Sequence, residues 1–158
     1  MFGGKGDIST TAAAYCWKSV GVSKIPKIGF RGGTDVEGNP IYVGRVDHVG
    51  DVLPGSIFLN KKIACASHSG RQYCKDKFEV LCCNKPCFEW VPSHAGEILP
   101  NMVVGGKTNV GESLYVGRVH HRATQTVGKI HPSHKVCYIP FAGEEIMYQR
   151  YEALIYKP

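Results

Sequence analysis

The chain is predicted to be all-β, with two tandem pseudo-symmetric repeats forming one antiparallel β-sandwich-like domain. Three observations predict this. Tyr42-Val43-Gly44-Arg45-Val46 returns as Tyr115-Val116-Gly117-Arg118-Val119, and at this 73-residue offset the match runs without a gap from Trp17/Trp90 to Cys83/Tyr156, with 17 identities over 67 positions. Two copies of a unit suit two halves packed on one another rather than a solenoid. Glycine (19) and proline (9) punctuate the whole chain, which favours short strands and tight turns over long helices. No segment places its apolar residues at amphipathic helical spacing.

The elements follow in order. Residues 1–14 read as a loose leader, Gly-rich and then Ser/Thr/Ala-rich; residues 15–83 form the first repeat, 84–87 a connector with turn chemistry, and 88–158 the second repeat. Each repeat opens at Trp17 or Trp90 and continues to a glycine pair, Gly32-Gly33 or Gly105-Gly106. A hairpin-like turn follows at 35–39 or 108–112, then a strand at 41–49 or 114–121 rich in β-branched and aromatic residues. A second turn is expected at Gly55 or Gly128, with a new strand starting at Ile57 or Ile130. The closing strand covers 77–81 or 150–156. A repeat of this length is marginal alone, so the two are expected to share a core.

Composition excludes several classes. No apolar run is long enough to span a membrane. The first residues lack the apolar stretch of a secretory signal. The seven cysteines are odd in number, and they align with apolar residues of the other repeat: Cys65 with Tyr138, Cys74 with Met147, Cys137 with Ala64. Free thiols and a cytoplasmic location are therefore expected. The net charge of +6 reads as solubility, and the basic cluster Lys61-Lys62, Arg71, Lys75 and Lys77 as a solvated face without nucleic-acid binding.

No catalytic constellation is found. Ser67-His68-Ser69 sits in no nucleophile elbow. Glu79 and Glu152 occupy matched positions inside strands, which suggests a structural role beside an arginine or the backbone. The nearest approaches to a metal site, Cys82-Cys83-Asn84-Lys85-Pro86-Cys87 and His131-Pro132-Ser133-His134, lack paired ligand spacing. The chain is expected to be neither enzyme nor metalloprotein, and to need no cofactor. One pattern does suit sugar recognition, which uses carboxylate acceptors and ammonium donors on rigid turns. Asp35 lies on the first turn of repeat one and Lys129 just after Gly128 in repeat two; their repeat mates, Thr108 and Ser56, are also polar. The same residues also read as a self-bonded turn aspartate and an exposed lysine.

The runs Gly38-Asn39-Pro40-Ile41-Tyr42-Val43-Gly44-Arg45-Val46, Glu112-Ser113-Leu114-Tyr115-Val116-Gly117-Arg118-Val119, Gly128-Lys129-Ile130-His131 and Pro140-Phe141-Ala142-Gly143-Glu144-Glu145, with Tyr151-Glu152-Ala153-Leu154, resemble the DM-nine repeat family. The resemblance covers residues 17–156. That family includes natterin-like, mannose-binding lectins of invertebrates. The resemblance implies a tandem-repeat β fold, often a homodimer, that binds mannose-containing glycans and serves innate recognition or agglutination. It further implies a sugar site made by an Asp on the first turn and a Lys 21 residues later. Repeat one has Asp35 but Ser56 at the lysine position; repeat two has Lys129 but Thr108 at the aspartate position. Three arrangements remain open: a site shared between Asp35 and Lys129, a site using Glu37 or Lys107 as substitutes, or a scaffold whose sugar binding is lost and which serves protein interaction inside the cell. A lectin without a signal segment implies non-classical release.

Overall fold

The computed structural model describes residues 15–20 and 26–158, so the leader expected at residues 1–14 lies outside the described residues. The first repeat contains β1 (Tyr15–Val20), β2 (Arg31–Thr34), β3 (Pro40–His48), β4 (Asp51–Phe58), β5 (Ile63–His68), β6 (Arg71–Lys75) and β7 (Phe78–Cys83). The second contains β8 (Phe88–His94), β9 (Val104–Lys107), β10 (Ser113–His121), β11 (Thr124–His131), β12 (Val136–Phe141), β13 (Glu144–Tyr148) and β14 (Arg150–Tyr156). One-turn 3-10 segments, Leu59–Lys61 and Pro132–His134, follow β4 and β11.

The all-β, two-repeat reading holds, and the sheet goes further than a sandwich by closing on itself. β2, β3 and β4 pair as one antiparallel ladder, and β9, β10 and β11 as another. Thr34 on β2 bridges Gln125 on β11, and Val52 on β4 bridges Lys107 on β9. These two bridges are related by the repeat offset and join the ladders into a closed ring. The glycine pairs make them possible. A Cβ on Gly33 would lie 2.0 Å from the Gln125 carbonyl oxygen, and one on Gly106 would lie 1.9 Å from that of Val52. Strands β7 and β1 extend the ring beside β3, and β14 and β8 extend it beside β10. On the other side, the hairpins β5–β6 and β12–β13 meet through the pair Arg71 and Glu144.

One expectation about turns is corrected. Gly55 and Gly128 lie inside β4 and β11, not in turns. The reversal comes earlier, at Val49-Gly50 and Arg122-Ala123, where all four residues have positive φ, as two-residue type I′ hairpins require. Gly55 and Gly128 instead permit close approach, since a Cβ there would fall 2.2 Å from the Cys65 carbonyl oxygen and 2.0 Å from that of Tyr138. Lys129 therefore sits within a central strand rather than on an exposed loop.

The core is shared between the repeats. Ile41, Val43 and Leu81 pack with Val103, Val116, Val127 and Leu154, and all of these are fully buried. Each such side chain contributes roughly 1.5–3 kcal/mol through removal from water. The matched glutamates have matched partners: Arg45 Nε lies 2.6 Å from Glu79, Arg118 Nε lies 2.8 Å from Glu152, and the two guanidinium groups stack over Trp17 and Trp90.

The expectation of free thiols is also corrected. Cys65 and Cys74 face each other directly across the β5–β6 hairpin and are disulfide-bonded, and Cys83 is bonded to Cys87 across the connector. Cys16, Cys82 and Cys137 are free. The pairing depends on hairpin register, which brings residues nine positions apart to a Cα separation of 4.1 Å. The cytoplasmic expectation thus loses the part of its support that rested on free thiols. Among the described residues, no helix is long and apolar enough to cross a membrane.

Candidate functional site

A cavity of about 240 Å³ opens beside the turn between β2 and β3. Asp35 and Glu37 of that turn form one wall; Phe58 and Lys61, from the end of β4 and its 3-10 segment, form another. Gln72 on β6 and the disulfide-bonded Cys65 on β5 contribute a third side. The second repeat completes it with Thr124 and Thr126 on β11 and Phe141 at the end of β12. Apolar and aromatic walls with a few converging polar groups are the usual make-up of a small-molecule pocket.

Asp35 organises its own turn. Its Oδ1 accepts hydrogen bonds from the backbone N–H groups of Glu37 (2.9 Å) and Asn39 (2.8 Å), while Oδ2 accepts one from the Asn39 side-chain amide at 3.3 Å. Burial pushes the carboxyl up, but the Asn39 amides, the Glu37 amide and the charge of Lys61 together outweigh it and hold Asp35 below the ordinary carboxylate range. It therefore stays ionised at neutral pH, with Oδ2 able to accept another donor. Lys61 is exposed and lies over the Phe58 ring at 5.5 Å. Sequence reasoning placed Lys61 in a solvated basic face; the visible clue was its position just after a strand that ends in phenylalanine.

Asp35 and Lys129 share no hydrogen bond or ion pair. The Lys129 ammonium is buried, donates to the Ser67 carbonyl at 2.7 Å and lies 5.3 Å from the centre of the Tyr138 ring. Glu145 Oε2 lies 3.2 Å away, a Coulombic contact without hydrogen-bond alignment. Ser56 is buried, and its hydroxyl donates to the Val127 carbonyl (2.8 Å) and accepts from the Val127 N–H (3.0 Å), tying the repeats together. Thr108 does for its turn what Asp35 does for the other, accepting the Glu112 N–H on Oγ1 at 3.1 Å. Lys107 is exposed on β9, opposite Ser113 and Val52, and Glu37 remains an exposed wall residue of the cavity.

The equivalent surface of repeat two is chemically different. Positions matching Phe58 and Lys61 carry His131 and His134, whose rings stack at 3.5 Å. His131 Nε2 lies 2.9 Å from Glu112, His134 Nδ1 lies 2.9 Å from the Tyr138 hydroxyl, and His68 pairs with Asp51 at 3.5 Å. Burial lowers the His131 pKa, the His134 charge lowers it further, and Glu112 opposes both. Among the described residues, no cluster of three or more His, Cys, Asp or Glu is placed to hold a metal ion.

The DM9 repeat pattern matches residues 35–148, which spans both first-turn positions and both central strands. The chain belongs to the DM9 repeat family. No curated protein is similar to it at a significant level. Among solved structures, this DM9 repeat protein is similar in fold to the nematode sperm cell motility protein MFP2B, with a TM-score of 0.63 and 16% sequence identity, covering 91% of this chain and 47% of that protein. The chain thus spans about half the length of that neighbour.

Proposed function

We propose that this DM9 repeat protein is a lectin that binds mannose-type glycans, without turning them over, in the cavity of Asp35 and Lys61. The observation that supports it is the pairing of an ionised acceptor, Asp35, with the Lys61 charge on walls that also present Phe58 and Phe141. Vicinal sugar hydroxyls would donate to Asp35 Oδ2 and accept from Lys61, while the apolar face of the ring rests on the aromatic side chains. Lys61 thereby replaces the lysine that repeat one lacks at Ser56. Lys129 takes no part; its ammonium holds the inside of the molecule together.

A monosaccharide bound at millimolar strength has only about 4 kcal/mol in total, and a hydrogen bond to a charged group contributes about 1.5–3 kcal/mol of it. Loss of either charge should therefore abolish detectable binding of a single sugar. Display on a dimer would restore avidity for a glycan-coated surface, in innate recognition or agglutination. Calorimetric titration of methyl mannoside and a mannan oligosaccharide into the wild type, Asp35→Ala and Lys61→Ala tests the reading. Binding by the wild type alone supports it. No binding of either ligand by the wild type overturns it, leaving a protein-interaction scaffold.

A further inference from the structure

The basic cluster that reads in sequence as one solvated face is divided by the fold. Lys61 goes to the cavity of Asp35, and Arg71 stands on β6 in backbone register with Glu144 of β13. Lys75 and Lys77 join Arg45 in a separate cavity of about 450 Å³ between β1, β3 and β7. Ser19 adds a hydroxyl to its wall and Phe78 an apolar patch. Two carboxylates also line it, Glu79 and Asp47. Glu79 is held by Arg45 Nε at 2.6 Å, and the Lys75 ammonium is positioned by a hydrogen bond to the Asp47 carbonyl.

Repeat two keeps two of these three cations, Arg118 for Arg45 and Arg150 for Lys77, and replaces the third. Arg118, the mate of Arg45, binds Glu152 through Nε and also donates from Nη1 to the Gly32 carbonyl at 2.8 Å. Arg45 makes the first bond without the second, so among the described residues its terminal nitrogens have no protein partner, and neither has the Lys77 ammonium. Lys75 is matched by Tyr148, whose hydroxyl bonds His121, and Ser19 is matched by Pro92. The same strands thus fold in repeat two with a tyrosine and a proline where repeat one has a lysine and a serine. A cleft with more cations than carboxylates raises the local concentration of anions. A guanidinium fork with flanking ammonium groups matches the oxygens of phosphate or sulfate.

We infer that this cavity binds a phosphate or sulfate monoester on a sugar-sized body, the oxyanion lying between Arg45, Lys75 and Lys77 and the organic group against Phe78. The volume falls within the usual range of ligand pockets, roughly 300–1,000 Å³, and exceeds what a bare oxyanion fills. The site is separate from the Asp35 cavity and stands whether or not that cavity binds mannose.

The test is titration of glucose 6-phosphate, N-acetylglucosamine 6-sulfate and neutral glucose at low ionic strength, followed by calorimetry and by fluorescence of Trp17 beneath Arg45. Saturable binding of one or both esters, absent for glucose and weakened by salt, is expected; the preferred ester identifies the source of the oxyanion. Lys77→Glu, at an exposed position, should keep the wild-type melting temperature and weaken binding by about tenfold or more. Asp47→Asn should strengthen binding, and Asp35→Thr should leave it unchanged. No saturable binding of either ester, or equal binding by Lys77→Glu, overturns the proposal.

Discussion

Gln72 and Glu145 each hold the hairpin of the other repeat. Gln72 Oε1 accepts the Gly143 N–H at 3.2 Å, and Glu145 Oε1 accepts the Gly70 N–H at 2.9 Å. Their own backbone N–H groups donate to the Gly143 and Gly70 carbonyls, both at 3.0 Å. All four bonds are related by the repeat offset and surround the Arg71–Glu144 pair, so the pseudo-twofold axis passes there. The two halves of this clasp differ in one atom type. Gln72 is neutral and borders the Asp35 cavity, whereas Glu145 carries the charge that faces buried Lys129.

Removing that charge should destabilise the whole domain. Glu145→Gln keeps an acceptor for Gly70 but leaves the Lys129 ammonium buried without a counter-charge. A loss of about 3 kcal/mol is expected in urea unfolding. The double variant Lys129→Met with Glu145→Gln should recover most of it, because the desolvated pair is removed together. If Glu145→Gln alone unfolds like the wild type, the pair contributes nothing to stability.

Asp35→Thr should separate turn structure from ligand binding. Thr108 at the matched position already caps its turn with a hydroxyl, so the variant should fold with a loss of about 1 kcal/mol or less. Mannoside binding should nonetheless disappear in calorimetry, because the carboxylate acceptor has gone. Retained binding would place the sugar contact elsewhere on the wall.

Stability should rise with pH between about 5 and 7. Burial lowers the pKa of His48, His121 and His131, so the unfolded chain binds more protons than the native state in this window. Their contribution is fully present above the unfolded histidine value and is lost as pH falls toward the native ones. His131→Phe, which copies Phe58 of the other repeat, should flatten the slope in unfolding measured across that range. Asp35 and Glu112 act at lower pH: their depressed carboxyl values give stability that is lost only as pH falls below the ordinary carboxylate range.

Native alkylation followed by mass spectrometry should label Cys16 alone, since Cys82 and Cys137 are buried. Denaturation without reductant should expose three thiols, and reduction all seven. Each of the two short disulfide loops should stabilise the fold by about 2–3 kcal/mol at most, read as a lower melting temperature with reductant. Seven reactive thiols before reduction would contradict the pairing.

Much of the architecture was legible in the chain. The 73-residue offset predicts the matched strands, and Asp35 to Gly38 predicts the first hairpin turn. Gly55 and Gly128 misled because a glycine needed for φ above zero and one needed for close backbone approach are the same letter. Only the strand pairing distinguishes them, and with it went the true setting of Lys129. Cys65 and Cys74 matched apolar residues in repeat two and so resembled core thiols, while the register that sets them face to face is a tertiary fact. Lys61 escaped because its coupling to Asp35 crosses from one turn to another.

The ring closes only because each half lends a strand edge to the other through Thr34–Gln125 and Val52–Lys107. In that sense the molecule is a dimer written into one polypeptide. A true pair of identical subunits must carry every substitution twice, in both copies of a surface. Joined end to end, the halves are released from that constraint. One flank can keep a carboxylate at Asp35 while its counterpart turns to threonine, and one can place a lysine at Lys75 where the other has tyrosine, with the shared interior unchanged.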